Sequence, residues 1–400
     1  MKNTLILNYL HFSSAKIGAK RWRNISNEII KYRNIQVLFS DFDSSNPINK
    51  ETLFKSNYFR ILDRVSRTFL EKIKYRLAYW VNMAFGKGTP YDKALFDKKQ
   101  VLKSLVFLFS NFKFNELIVS GAPFNLCYYA AIFKSNNSKI KLIVDFRDPW
   151  TWGEGYGISG LSEKRFAWEN HKEHYCISQA DLITVPSESM KKFLIKKYPE
   201  YVEKFYLLPH GTNIIGTNRN KTENCIVDFI YGGTVYPETF EDITKVFDES
   251  FDQNVQFYCS NNLQFEEVLL NKKLTDGIVV NPQMEEYRFI AELCNSNYYL
   301  AFFPERYKDF ISTKFIEIIA LKIPIILMSP KGVLSDFIES NNLGIHFEND
   351  ILGRGSLKNF LKKPTEILDY NSKFDISSYK WSTLTKELID KIEEAKPLSN

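Results

Sequence analysis

Short runs of apolar, β-branched residues alternate along this chain with amphipathic stretches of helical length, the pattern of parallel strands joined by crossover helices. In the first half, strands are predicted at 4–8, 35–39, 116–120, 141–145, 182–185 and 205–208. In the second half they are predicted at 227–231, 255–258, 277–280, 298–303, 324–328 and 345–347. Each half has enough strands for a doubly wound sheet of its own. Between the two sets, Pro209-His-Gly-Thr-Asn213 and the polar stretch 216–224 gather turn formers, which marks a linker. Ligands of such sheets sit beyond the carboxyl ends of the strands, so the residues just after each strand are where chemistry is sought.

Residues 51–113 break this rhythm and show no evident strand. Phe54, Tyr58, Ile61, Leu62, Val65, Phe69, Ile73, Leu77 and Trp80 recur there at helical spacing, with Arg60, Arg64, Arg67 and Lys74 on another face. The stretch holds 13 Lys and Arg against 5 Asp and Glu. Two readings stand side by side: a basic amphipathic segment that makes a peripheral membrane contact, or a solvated basic helix whose apolar face packs on the N-terminal sheet.

Of the 400 residues, 44% are apolar and 25% charged, which excludes a disordered, fibrous or low-complexity protein. The net charge of +6 hides an asymmetry: 32 Lys and Arg against 18 Asp and Glu in residues 1–200, and 21 against 29 in residues 201–400. An acidic second half and the lack of a recognised motif argue against a nucleic-acid partner. Cys127, Cys176, Cys225, Cys259 and Cys294 are at least 34 positions apart, so they read as buried thiols of a reducing compartment rather than a zinc ribbon or redox pair. The first ten residues suit a buried strand better than a signal peptide, and no run approaches the ~18 apolar residues of a spanning helix. The expectation is a cytoplasmic protein, at the inner face of the plasma membrane if residues 51–113 make contact there.

The strand ends carry the candidate chemistry. After the first strand, the small-residue loop 13–22, with Gly18, enters a helix whose free amides and dipole suit a diphosphate, although a plain turn looks the same. The run Leu142-Ile-Val-Asp-Phe-Arg-Asp-Pro-Trp150 carries a buried strand directly into Asp145, Arg147 and Asp148. Charges there must be paired or face a cleft. The aromatics that follow, Trp150, Trp152 and Tyr156, either stack on a sugar or pack beneath the loop.

In the second half, Phe229-Ile-Tyr-Gly-Gly-Thr-Val-Tyr236 feeds a glycine turn in which Gly233 and Thr234 permit close backbone approach. Asp309-Phe-Ile-Ser-Thr-Lys-Phe-Ile-Glu-Ile-Ile-Ala320 passes from a polar loop into a helix, with Ser312 and Thr313 as caps. Lys314 in the first turn gains nothing from the helix dipole, so a bound phosphate would account for it. Glu317, a turn further on, can accept from both hydroxyls of a ribose. The bland alternative is an intrahelical Lys314–Glu317 pair worth about 0.2–0.5 kcal/mol.

Taken in order, Gly18-Ala-Lys-Arg-Trp22, Ser120-Gly-Ala-Pro-Phe124, Asp145-Phe-Arg-Asp-Pro-Trp150, Ala180-Asp-Leu-Ile-Thr184, Leu208-Pro-His-Gly-Thr212, Ser312-Thr-Lys-Phe-Ile-Glu317, Ile323-Pro324 and Ser329-Pro-Lys-Gly332 resemble family 4 of the retaining GT-B glycosyltransferases. The resemblance covers nearly the whole chain. It implies an α/β GT-B fold, two Rossmann-like doubly wound parallel-sheet domains facing each other across a cleft. Residues 1–209 would form the acceptor domain, rejoined by a helix near 381–394 within 380–400, and 210–379 the nucleotide-sugar domain.

The activity implied is metal-independent hexosyl transfer with retention, needing no cofactor. The donor would be a nucleoside-diphosphate sugar, UDP being favoured over GDP, and the acceptor a glycan or lipid-diphosphate-linked saccharide of bacterial surface polysaccharide assembly. Lys314, Ser312, Thr313, Gly18, Gly233 and Thr234 would surround the diphosphate, with Glu317 at the ribose and the base near 281–284. Asp148 would face the acceptor, and Arg147 beside it either acceptor or phosphate.

Two positions depart from the family pattern. Asp309 stands where many members have the first of two glutamates, a methylene longer, which touches the donor sugar, and Glu305 is a candidate replacement. The segment Gly232-Gly-Thr-Val-Tyr-Pro237 also lacks the cations that many members place after the first C-terminal strand. A sugar-nucleotide epimerase of the same architecture and a non-catalytic partner subunit are the alternatives. A nicotinamide dehydrogenase is disfavoured, since neither half has the glycine fingerprint with its downstream acid.

Overall fold

The computed structural model describes residues 2–14, 17–43, 53–64, 67–153, 157–214, 227–247, 253–274, 277–364 and 370–395. Val65, Tyr156, Cys225 and the polar stretch 216–224 lie outside the described residues. The chain forms two compact units, Met1–Pro209 with Trp381–Asn400, and His210–Lys380.

Among the described residues the first unit is built on seven parallel strands: β1 (Lys2–Asn8), β2 (Arg33–Ser40), β3 (Leu53–Phe54), β4 (Glu116–Gly121), β5 (Lys141–Phe146), β6 (Leu182–Val185) and β7 (Phe205–Leu207). Their order in the sheet is β3-β2-β1-β4-β5-β6-β7. Because successive side chains of a strand point to opposite faces, one sequence feeds two cores. Leu5, Leu7, Leu117, Val119, Leu142 and Val144 enter one cluster, while the intervening Ile6, Ile118 and Ile143 enter the other. Apolar residues on both faces are what a parallel sheet covered by helices on each side requires.

The second face is closed by the helices Ile17–Ile29 and Trp381–Glu394, whose Trp22, Ile25, Ile29, Trp381, Leu384, Leu388 and Ile392 are all buried there. Near its end the latter helix is pinned by ion pairs from Glu393 to Lys2 and Arg33.

Among the described residues the second unit repeats the logic with six parallel strands: β8 (Val227–Gly233), β9 (Val255–Cys259), β10 (Ile278–Pro282), β11 (Ser296–Phe302), β12 (Ile325–Met328) and β13 (Gly344–Phe347). They lie in the order β10-β9-β8-β11-β12-β13. Phe229, Tyr231, Phe257, Leu300 and Phe302 face one core, and Ile230, Tyr258, Tyr299, Ala301 and Leu327 the other.

All twelve predicted strands are present, with ends displaced by at most two residues. β3 is the one the sequence did not reveal. It is two residues long and pairs at the sheet edge, Phe39 with Leu53 and Ser40 with Phe54, too short to print a period.

The rest of the 51–113 stretch contains the helices Phe69–Phe85 and Lys98–Asn111. Its apolar row divides. Phe54 and Leu62 are buried, whereas Phe69, Ile73, Leu77 and Trp80 are between 51% and 78% exposed, so that face does not pack on the sheet. The helix Phe69–Phe85 instead rests on its opposite side, through buried Ala78 and Asn82. Asn82 Nδ2 donates to the Pro90 carbonyl at 2.7 Å, and the Tyr75 and Tyr91 hydroxyls meet at 3.2 Å. Among the described residues no helix is long and apolar enough to cross a membrane.

Candidate functional site

In the first unit the ends of β1, β4 and β5 place the predicted residues, and burial sorts them into two groups. Asp145 is fully buried and accepts five hydrogen bonds: from Arg21 Nε at 3.2 Å and Nη2 at 3.1 Å, Trp22 Nε1 at 2.7 Å, Ser120 Oγ at 3.2 Å and Thr184 Oγ1 at 2.7 Å. Burial alone would push its carboxyl up. The Arg21 charge and the donors of Arg21, Thr184 and Trp22 outweigh that and hold it below the ordinary 3.8.

Arg21 also donates to the carbonyls of Leu208 at 2.9 Å and Pro209 at 3.1 Å. Four of the motifs that resemble the glycosyltransferase pattern thus meet at one buried carboxylate. They form a scaffold, which aligns the strand ends rather than reaching a ligand.

Arg147 and Asp148 form the other group. Arg147 Nε donates to Asp148 Oδ2 at 3.1 Å, and the Asp148 side chain is one-third exposed. The guanidinium also lies over Gly18, where a Cβ would come 2.2 Å from Nη1. Gly18 therefore has a packing reason to lack a side chain, and the start of the helix Ile17–Ile29, Arg147 and Asp148 are brought into one patch. The turn between β4 and the helix Phe124–Ser135 runs beside them, Arg147 N donating to the Gly121 carbonyl at 3.2 Å.

Trp150 is buried, stacked on Phe124 at 4.7 Å and donating to Glu169 Oε2 at 2.7 Å, so it packs beneath the loop. Trp152 stacks on Phe193 at 4.8 Å and lines an open depression of about 350 Å³ with Ile158, Leu161 and Phe166.

In the second unit the two glycines that end β8 and the start of the helix Thr313–Ala320 meet. Lys314 Nζ donates to the Gly232 carbonyl, which also accepts from the buried Tyr299 hydroxyl at 3.1 Å. The Lys314 ammonium lies 5.8 Å from the Phe289 ring centroid. The two glycines are sterically required. A Cβ on Gly232 would fall 2.1 Å from the Phe289 ring, and Gly233 has φ +130 with the Lys314 ammonium 2.7 Å from where its Cβ would be.

Thr234 is exposed beyond the turn, its hydroxyl 2.8 Å from that of Ser260. Asn261 fixes the turn through Val235, accepting from its N–H at 3.1 Å and donating to its carbonyl at 2.8 Å. At the helix start Ser312 occupies the cap position with no side-chain bond to the first turn, Thr313 is buried, and Glu317 lies half-buried one turn after Lys314. The stretch 281–284 spans the end of β10, where Gln283 N donates to the Cys259 carbonyl at 3.1 Å.

Asp309 Oδ1 accepts from the Val333 amide at 3.2 Å, which gives the helix Val333–Ser340 an acidic partner at its N-terminus. That contact suits the shorter side chain. Glu305 is exposed and paired with Lys308.

Arg306 is the residue that sequence reasoning missed. It comes from the loop after β11, yet its guanidinium lies 5.5 Å from the ring of Tyr236, just past the glycine turn, and pairs with Glu238 at 3.0 Å. A cation thus stands near this turn although the turn's own segment has none. Its position could not be read from the sequence, because 70 residues separate Arg306 from Tyr236. Among the described residues no three His, Cys, Asp or Glu side chains gather as a metal cluster.

No known family's sequence profile matches the chain, and no curated protein matches it by sequence. Solved structures do match over almost the full length. Sucrose-phosphate synthase from Thermosynechococcus elongatus superposes with a TM-score of 0.68 at 10% identity, over 98% of this chain and 99% of that one. A glycosyltransferase from Rickettsia africae gives 0.60 at 12% identity, over 98% of each chain. UDP-GlcNAc 2-epimerase from Neisseria meningitidis, bound to UDP-GlcNAc, gives 0.57 at 10% identity, over 98% of this chain and 100% of that one. Two parallel-sheet units, of seven and six strands among the described residues, together with this likeness give the chain the GT-B fold.

Proposed function

We propose that this protein is a glycosyltransferase that takes its sugar from a nucleoside diphosphate, UDP before GDP, without a metal ion. One observation carries the reading: Lys314, in the first turn of a helix whose cap hydroxyl leaves the amides to other partners, meets the Gly232-Gly233 turn at the carboxyl end of β8. Helix-start amides, a strand-end glycine turn and an ammonium together suit a diphosphate. Arg306, paired with Glu238 and lying over Tyr236, is assigned as a second cation, and Glu317 as the acceptor for the ribose hydroxyls. The structural likeness to glycosyltransferases supports the reading at the level of fold.

In the reaction so assigned, the bond from the anomeric carbon to the diphosphate oxygen breaks and one from that carbon to an acceptor hydroxyl forms. The hydroxyl proton passes to the leaving phosphate. Negative charge grows on the leaving oxygen, and a donor aimed there lowers the barrier by ~2.7–4 kcal/mol. Lys314 fills that role. Attack from the leaving-group face would retain configuration. Asp148 and Arg147 are assigned to the acceptor, a glycan or lipid-linked saccharide, and Asp309 to the donor sugar.

The test is calorimetric titration. Lys314→Ala should weaken UDP by about 10- to 100-fold, the worth of a hydrogen bond to a charged group, and leave uridine nearly unchanged. Equal losses for both ligands would remove the phosphate role. The likeness to UDP-GlcNAc 2-epimerase supports a second reading, epimerisation of the sugar nucleotide. Conversion of UDP-GlcNAc in the absence of any acceptor would favour it.

A further inference from the structure

The helix Phe69–Phe85 turns its apolar side away from the unit that carries it. With 3.6 residues per turn, Phe69, Ile73, Leu77, Trp80 and Ala84 fall on one stripe, and Glu71, Tyr75, Ala78 and Asn82, the side that faces the unit, lie about 170° around from it. Phe69, Leu70, Ile73, Leu77, Trp80 and Phe85 are each more than half exposed. A stripe this apolar normally faces a core. Here it runs the length of a 17-residue helix, roughly 25 Å at ~1.5 Å per residue.

The charges around it point to what covers it. Lys72 and Arg76 border one edge of the stripe and Lys74 the other; all three are exposed, and none forms an ion pair with a described residue. Glu71, the helix's acidic residue, is turned inward and engaged by Thr68 and Arg64. A second copy is a poor occupant, because a two-fold contact sets this face against itself and brings cations to cations. A surface that is apolar below and anionic above satisfies both features at once.

We propose that the helix Phe69–Phe85 lies in the interface of an anionic phospholipid bilayer, with Phe69, Ile73, Leu77 and Trp80 entering the acyl boundary and Lys72, Lys74 and Arg76 at the phosphates. The helix lies on the membrane and does not span it. This inference stands apart from the nucleotide reading, since vesicle binding needs neither donor nor acceptor.

The test is flotation of the full chain with vesicles of phosphatidylcholine alone or mixed with phosphatidylglycerol. The wild type should float with the mixed vesicles, and less so at high salt. The triple variant Ile73→Ser, Leu77→Ser, Trp80→Ser should stay at the bottom with both. The variant Lys72→Glu, Lys74→Glu, Arg76→Glu should lose about 100-fold in partitioning onto the mixed vesicles, the worth of ~1 kcal/mol per cation. Circular dichroism shows whether each variant is folded. Three results overturn the proposal: wild-type protein that floats with neither vesicle, folded variants that float like the wild type, or a lipid-free dimer in sedimentation that the apolar variant dissolves.

Discussion

At the scale of single residues, burial separates the three charges that follow one another at the end of β5. Asp145, Arg147 and Asp148 read as one charged set at a strand end, yet Asp145 is buried under five donors while Asp148 keeps a third of its side chain exposed. The difference was not legible locally, because the donors come from Arg21, Trp22, Ser120 and Thr184, between 25 and 124 positions away. The buried pair makes a sharp prediction. Asp145→Asn leaves the Arg21 charge without its counterion and should cost about 3–5 kcal/mol in urea denaturation.

Its pH dependence has a definite sign. The carboxyl titrates below 3.8 when folded, so its contribution is whole above that value and is lost as the pH falls through the folded pKa. Stability of the wild type should therefore exceed that of D145N by a constant amount near neutrality, and the gap should narrow only on strong acidification. The second-unit site was more legible: Lys314, Glu317 and the glycine turn stood out as types in a pattern. That the Lys314 ammonium would reach Gly232, 82 positions earlier, was not.

Among the secondary-structure elements, periodicity told which residues share a face but not where the face points. The spacing of Phe69, Ile73, Leu77 and Trp80 announced a helix, and an inward-facing stripe was one of its two natural readings. The structure puts that stripe outside, because Tyr75, Ala78, Tyr79 and Asn82 make the attachment instead. A helix held by so narrow a seam depends on its end. Thr68 caps it and Glu71 returns a bond to the Thr68 amide at 3.1 Å. Thr68→Ala should cost about 1 kcal/mol locally. Hydrogen exchange should show faster opening of the first turn while the melting temperature of the whole chain barely moves.

For the molecule as a whole, separate cores in the two units predict separable responses. A ligand at 100 times its Kd adds about 2.7 kcal/mol to the part that binds it. Saturating UDP should accordingly raise the calorimetric transition of the unit holding Lys314 and leave the other in place. The twofold division into sheets was legible because strand periodicity restarts in each half. Closure of the first sheet by residues 381–394 was implied only by resemblance, since an amphipathic helix does not name the surface it covers. Removing residues 381–400 should destabilise the first unit by several kcal/mol, given ~1.5–3 kcal/mol for each buried Leu or Ile lost, while UDP binding to the second persists.

That late helix also orders events at the ribosome. The wall formed by Ile6, Trp22, Ile25 and Ile118 is translated early, yet Trp381, Leu384 and Leu388, which cover it, emerge some 170 residues after the first unit's last strand. The intervening unit has every strand it needs before then. The half made first is thus finished last, and through that interval its uncovered wall is where a nascent-chain chaperone has something to hold.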